Sequence, residues 1–321
     1  MNSIYKLVIA LLARVVLSAF VMWPAMAGAA DNPDWAYPIT PPPKPLDNTV
    51  MRQMPGSTKQ YTQAQIDDPF NPPDWYPDEH PPMPEIVARG GPKPDGRACA
   101  QCHLTSGDGH PESSSLAGLP AAYIIWQMQA FKDGDRKGIR SGLMIAMAKV
   151  LSDAEVKAAA VYFAALKPAA GYNKVVETET VAKSYVGAGG MRFAMPNGGS
   201  EPIGQRIIVL PQDEARADAR DPKSGFIDYV PVGSIVKGAA LMAGGEGKTV
   251  DCTICHGPTL RGLGEVPGIA GRPATYTFRQ LNDMKTGNRK GPWVELMKQV
   301  VEKLTDEDMI SLAAFLGSLD P

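Results

Sequence analysis

The sequence predicts a mainly α-helical chain made of two tandem copies of one small domain, with a proline-rich N-terminal arm and a partly β middle segment. Three observations carry this expectation. Self-comparison at an offset of 153 residues aligns Cys99 with Cys252, Cys102 with Cys255 and His103 with His256 without a gap. Proline fills 16 of the 66 positions between residues 31 and 96. Between the two copies, apolar runs such as Ile207-Ile208-Val209-Leu210 are broken by glycine pairs and proline.

Residues 1–30 read as a signal peptide. Lys6 and Arg14 precede the apolar stretch Val15 to Trp23, and small residues follow as far as Ala30. Nine apolar residues are too few to cross a bilayer, and extending the stretch back to Leu7 would put Arg14 mid-span at a cost of about 2.5–3.5 kcal/mol. Lys6 and Arg14 are the only charges here, so cleavage takes 32 basic residues to 30 against 34 acidic ones, a net −4. The mature chain is expected in the periplasm; an uncleaved leader would tether it to the membrane. The charge balance offers no basic field to a nucleic acid.

Residues 31–84 form the arm. Runs such as Pro41-Pro42-Pro43 and Pro81-Pro82 exclude a sustained helix and favour extended or polyproline conformation. The segment reads either as a linker wrapping the first domain or as a docking segment carrying Trp35, Trp75 and Tyr76, and His80 reads as a surface residue. Residues 85–168 and 233–321 are the two repeats, and their register runs to the end of the chain. Ala117-Gly118 meets Ala270-Gly271, Tyr123 meets Tyr276, Gln127 meets Gln280, Arg136-Lys137-Gly138 meets Arg289-Lys290-Gly291, and Met144 meets Met297. Ser152 with Glu155, and Thr305 with Asp308, are capping boxes that open a last helix in each copy. A further helix is expected at 123–132 and at 276–285, stopped by Gly134 and Gly287. Residues 169–232 suit short strands and are too long for a plain linker, so they are expected to pack across both repeats.

Cys99-Ala100-Gln101-Cys102-His103 and Cys252-Thr253-Ile254-Cys255-His256 have the spacing of c-type haem attachment. Two thiols three positions apart reach the two vinyl groups of one porphyrin, and the adjacent histidine reaches its iron. Both pentapeptides sit at equivalent places in a repeat and together use every cysteine of the chain. Disulfides, a thioredoxin-type motif and a zinc site explain neither the paired histidines nor a 153-residue separation. The expected cofactors are two covalently attached haem c groups, with His103 and His256 as the proximal iron ligands.

Met144 and Met297 are the expected opposite ligands, because they coincide in the repeat and each lies seven residues before the leucine that precedes its capping box. Met128, Met147 and Met284 read as core packing. His110 follows His103 too closely to cross to the other face of the same haem. A His/Met pair closes the iron to substrate and favours a raised potential. The chain therefore reads as an electron carrier rather than an enzyme. An open-iron peroxidase or a thiosulfate-oxidising cytochrome would need a vacant site or an unusual ligand.

The paired motifs, the Ala-Gly-x-Pro-x-x-Tyr stretch, Phe131-Lys132-x-Gly134 and the Met-x6-Leu-Ser-Asp entry resemble dihaem class I cytochromes of the cytochrome c4 type. The resemblance implies two tandem class I cytochrome c domains with haems near their interface, and electron exchange with exported or membrane redox proteins. It also implies a carbonyl from Pro267 orienting His256, haem-pocket places for Tyr123 and Tyr276, and haem propionates as partners of Arg136 and Arg289. Exposed charge pairs are the competing reading for the two arginines. Two departures stand out: Ser114 occupies the place of Pro267, and Leu104 that of Gly257. The arm and residues 169–232 lie outside the pattern, so they are candidates for a stable contact with a dehydrogenase or oxidase.

Overall fold

A computed structural model describes residues 32–42 and 48–321; the expected signal peptide lies outside the described residues. In the arm, β1 (Met51–Arg52) pairs antiparallel with β2 (Tyr61–Thr62), and one helical turn, α1 (Gln63–Ile66), follows. That turn forms in a proline-rich region because residues 56–68 contain no proline and Thr62 makes a capping box with Gln65.

The first repeat contains α2 (Glu85–Ala88), α3 (Ala100–His103), α4 (Ala121–Asp133), α5 (Gly142–Val150) and α6 (Asp153–Ala165). Proline at 84 and Gly90-Gly91-Pro92 confine α2 to one turn. Ser152 N donates to Glu155 Oε2 at 2.8 Å while Glu155 N donates to Ser152 Oγ at 3.3 Å, which closes the expected capping box of α6. Ala160, Phe163 and Leu151 pack with Ile86, Val87 and Leu119 into a core of this repeat's own residues.

In the middle segment β3 (Asn173–Glu177), β4 (Thr180–Ala182), β5 (Ser184–Val186), β6 (Arg192–Ala194), β7 (Ser200–Pro202) and β8 (Ile208–Pro211) lead to a short helix, α7 (Glu214–Asp218), and to β9 (Phe226–Val230). β9 is central. It runs parallel to β3, with Asn173 opposite Phe226, and antiparallel to β8, with Ile208 opposite Tyr229. The pairs β4–β7 and β5–β6 are small antiparallel ladders beside it.

The second repeat contains α8 (Ser234–Met242), α9 (Thr253–His256), the β10 (Gly262–Leu263)–β11 (Val266–Pro267) hairpin, α10 (Ala274–Lys285), α11 (Pro292–Val301) and α12 (Asp306–Ser318). α3 and α9, α4 and α10, and α6 and α12 start 153 residues apart. Thr305 and Asp308 cap α12 reciprocally at 2.9 and 3.2 Å. Here the helices share their core with the middle sheet: Phe278, Met309 and Leu312 pack with Phe226, Val230 and Ile207. Buried Asp228, from β9, accepts from Ala274 N at 2.9 Å and caps α10 from outside the repeat.

The arm reaches both repeats rather than wrapping the first alone. Residues 35–37 lie on α10 of the second: Trp35 meets Phe278 at 4.7 Å, and Asn282 Nδ2 donates to Tyr37 Oη at 2.9 Å. Farther along, Ala98 N donates to the Pro69 carbonyl of the arm at 2.9 Å, and Trp75 Nε1 donates to the Ala219 carbonyl at 2.9 Å. Trp75 and Tyr76 are buried within the chain. The apolar anchors suggested for docking are thus consumed internally, and a partner would meet only the outer faces of these segments. His80 is likewise no free surface residue: Asp74 holds its ring at 3.1 Å and Tyr162 packs edge-on.

Candidate haem sites

Cys99 and Cys252 cap their one-turn helices, so each Cys-x-x-Cys-His motif is a single turn, with His103 N bonded to Cys99 O at 3.0 Å and His256 N to Cys252 O at 2.9 Å. All four cysteines are free thiols. Burial pushes the Cys99 thiol up to about 12 and that of Cys252 to about 11.

His103 Nδ1 donates to the Ser114 carbonyl and His256 Nδ1 to the Pro267 carbonyl, both at 2.8 Å. A carbonyl only accepts, so Nδ1 carries the proton in each ring and Nε2 keeps its lone pair. The substitution of serine for proline costs the first site nothing in distance because the acceptor is backbone. Burial lowers the pKa of both imidazoles and keeps them neutral.

In the first repeat, Cys99, Cys102, His103 and Met144 line one cleft of about 1430 Å³, its open mouth included, with Tyr123, Phe131 and Phe163 on its walls. Met128 and Met147 line it too. The repeat separates these three thioethers: Met144 has Met297 as its counterpart, whereas Met128 meets Leu281 and Met147 meets Val300. In the second repeat Met297 is half-buried on α11. His110 lies in a different, small cavity with Tyr172 and Arg220, away from the cleft.

The two repeats meet through a pseudo-twofold network. Arg136 donates to Gln127 Oε1 at 3.0 Å in its own repeat and, across the interface, to Tyr276 Oη at 3.0 Å and Gln280 Oε1 at 2.8 Å. Arg289 mirrors it, with Gln280 at 3.0 Å, Tyr123 Oη at 2.9 Å and Gln127 at 2.8 Å. Backbone bonds from Lys137 N to Asn288 O and from Lys290 N to Asp135 O complete the seam. Both arginines are buried, so the exposed-pair reading fails. Arg136, Tyr276, Gln280 and Asp283 also line the first cleft, which places it at the domain interface.

Sequence reasoning aligned Gln127 with Gln280 but gave neither a role. It missed Glu112, Arg279 and Asp283 altogether, since their repeat counterparts Glu265, Trp126 and Ala130 occupy different surroundings. A flat macrocycle fits the first cleft on its donor chemistry: two protonated thiols on one turn, an oriented neutral imidazole and a thioether on a neighbouring helix.

The family model "Cytochrome c" matches residues 235–320. The cytochrome c-554(548) of Halomonas halodenitrificans is 36% identical over 77 residues, 24% of this chain and 93% of that protein. The chain belongs to the cytochrome c family. Within that family it resembles the dihaem cytochrome c4 type: cytochrome c4 of Pseudomonas aeruginosa is 25% identical over 228 residues, covering 69% of this chain and 83% of that protein. A protein of Thiomonas intermedia named thiosulfate dehydrogenase electron acceptor is 28% identical over 228 residues, 70% of this chain and 80% of the relative.

Proposed function

We propose that the chain is a periplasmic dihaem electron carrier, in which His103 and Met144 ligate one iron and His256 and Met297 the other. The observation that carries this reading is the convergence of Cys99, Cys102, His103 and Met144 on one cleft, in a chain whose second repeat supplies the same set. Cys99 with Cys102, and Cys252 with Cys255, would hold the macrocycles by thioether bonds. The Ser114 and Pro267 carbonyls would fix the imidazole planes and raise their basicity. Bound haem supplies one-electron chemistry between ferric and ferrous iron. His103 with Met144, and His256 with Met297, would leave no place for substrate at either iron. The relative named as an electron acceptor of thiosulfate dehydrogenase supports an exported dehydrogenase as donor, in transient or stable complex.

Optical spectra of the purified protein, with pyridine haemochrome quantitation and the near-infrared sulfur-to-iron band, test the reading. Two haems per chain and a sulfur band scaling with two irons are expected. One haem, or a high-spin fraction that binds carbon monoxide readily, would overturn it.

A further inference from the structure

Asp283 belongs to α10 of the second domain, yet it lines the first domain's cleft and packs against the backbone of Gly138, where an added Cβ would strike the carboxylate. It is 6% exposed, and its Oδ1 is buried with no hydrogen-bond partner among the described residues. A carboxylate in that state costs free energy that an incoming proton relieves. The charged and titratable groups around it come from several elements. Arg279 lies one turn earlier on α10, Arg136 and Arg289 come from the connections before α5 and α11, and Tyr37 comes from the arm. Glu112, Arg140, Tyr123, Tyr276 and His103 line the same cleft. Burial raises the Asp283 carboxyl to about 6, against the pull of the three arginines. Its counterpart in the first repeat is Ala130, so the second site has no equivalent acid.

We propose that Asp283 is a redox-linked proton acceptor that makes the potential of the first haem, and not the second, depend on pH. The proposal rests on the haem reading above. One electron arrives from a protein redox donor and takes the iron from ferric to ferrous; one proton passes from solvent to the Asp283 carboxylate, giving the carboxylic acid. Electron delivery to an acceptor reverses both movements. The sign follows from charge: an ionised Asp283 favours the ferric haem, so the potential falls as pH rises through the region near 6.

Spectroelectrochemical titration of the full dihaem chain over a range of pH tests this, with Met144→His used to identify the first haem's wave by its lowered potential. The first wave is expected to fall by up to about 59 mV per pH unit, the one-electron equivalent of a tenfold change in equilibrium constant. In Asp283→Asn that wave should be flat and sit at the wild-type acid value. Two haems with an unchanged slope in Asp283→Asn would overturn the proposal and assign the effect to another acid, such as a propionate. One haem per chain in the wild type would overturn the haem reading and the proposal with it. Proton uptake by the wild type on reduction near pH 6, followed with an indicator dye, checks the same point without a variant; no uptake would sink it.

Discussion

The two repeats offer the same attachment chemistry but differ in what covers it. At the first motif, Gln101 and Leu104 are buried, and Arg220 of the middle segment donates to the Gln101 carbonyl at 3.0 Å. At the second, Ile254 is 67% exposed, Cys255 is exposed, and Leu263, the counterpart of His110, is 57% exposed. The difference extends to the backbone. Gly257 takes φ 81 freely, whereas Leu104 holds φ 61 with ψ 165 at its place, a region essentially reserved for glycine that costs a residue with a side chain about 1–3 kcal/mol. Leu104 offsets that cost by burying its side chain in the core shared by the middle sheet and the second domain. The inserted segments therefore close the first site, while the second keeps the open attachment face of an unadorned domain.

The largest effect expected from breaking this comparison comes from the cysteines. The second domain's helices share one core with the middle sheet and with Ala36 and Tyr37 of the arm, whereas the first domain's core is its own. Cys252→Ala should leave one haem per chain and fail to mature its domain, and the loss of helix should spread beyond it. Cys99→Ala should lose the other haem with a smaller loss of circular dichroism. Normal haem content in Cys252→Ala would remove the premise that attachment drives folding of that domain.

The two ends of the interface give the next largest contrast. Trp126 and Arg279 are repeat counterparts, as are Arg140 and Trp293. At one end Trp126 stacks on Trp293 with centroids 5.3 Å apart and planes 20° apart. At the other, buried Glu112 bridges the counterparts, with Arg279 at 2.9 Å and Arg140 at 3.2 Å. Arg279→Met leaves Glu112 with Arg140 alone and should cost about 1.5–3 kcal/mol, as for the loss of a hydrogen bond to a charged group. Trp126→Met gives up an aromatic pair worth about 0.5–1.5 kcal/mol beyond its burial. Urea titration of the two variants measures the contrast, and equal losses would mean that the bridge is solvated in solution.

These asymmetries mark the limit of what could be read from sequence. Ser152 with Glu155 and Thr305 with Asp308 were legible as helix entries because a capping box is local, closed within four residues. The short strands of the middle segment were legible as strands, but not the parallel pairing of β3 with β9, whose partners lie 53 residues apart. The arm was legible as non-helical from its prolines, yet the choice of α10 as its seat depends on Phe278, Arg279 and Asn282, which no local pattern links to Trp35 or Tyr37. At the sites, the repeat drew attention to residues that match. Arg279 and Asp283 act where the repeats differ, and Glu112 matches Glu265 in residue type but not in its partners, so self-comparison is silent on all three.

The smallest contrast lies in the capping boxes. Glu155 is a half-buried carboxylate whose partner is Ser152, while Asp308 is buried and also binds Lys237 at 3.2 Å and Lys248. Burial alone would raise the Asp308 carboxyl, but Lys248, Thr305 and Lys237 together hold it well below the ordinary carboxylate range. A depressed folded-state pKa gives stability that is present above the unfolded value of about 4 and lost as pH falls towards the folded one. Asp308→Asn should therefore cost about 1.5–3 kcal/mol at pH 7, as expected for bonds to a charged group, and Glu155→Gln about 1 kcal/mol or less. The Asp308→Asn deficit should shrink steadily as pH is lowered below about 4, because the wild type is then losing the same charge. A deficit independent of pH would mean that Asp308 caps α12 through its shape and hydrogen-bond acceptors, with the two lysines contributing nothing.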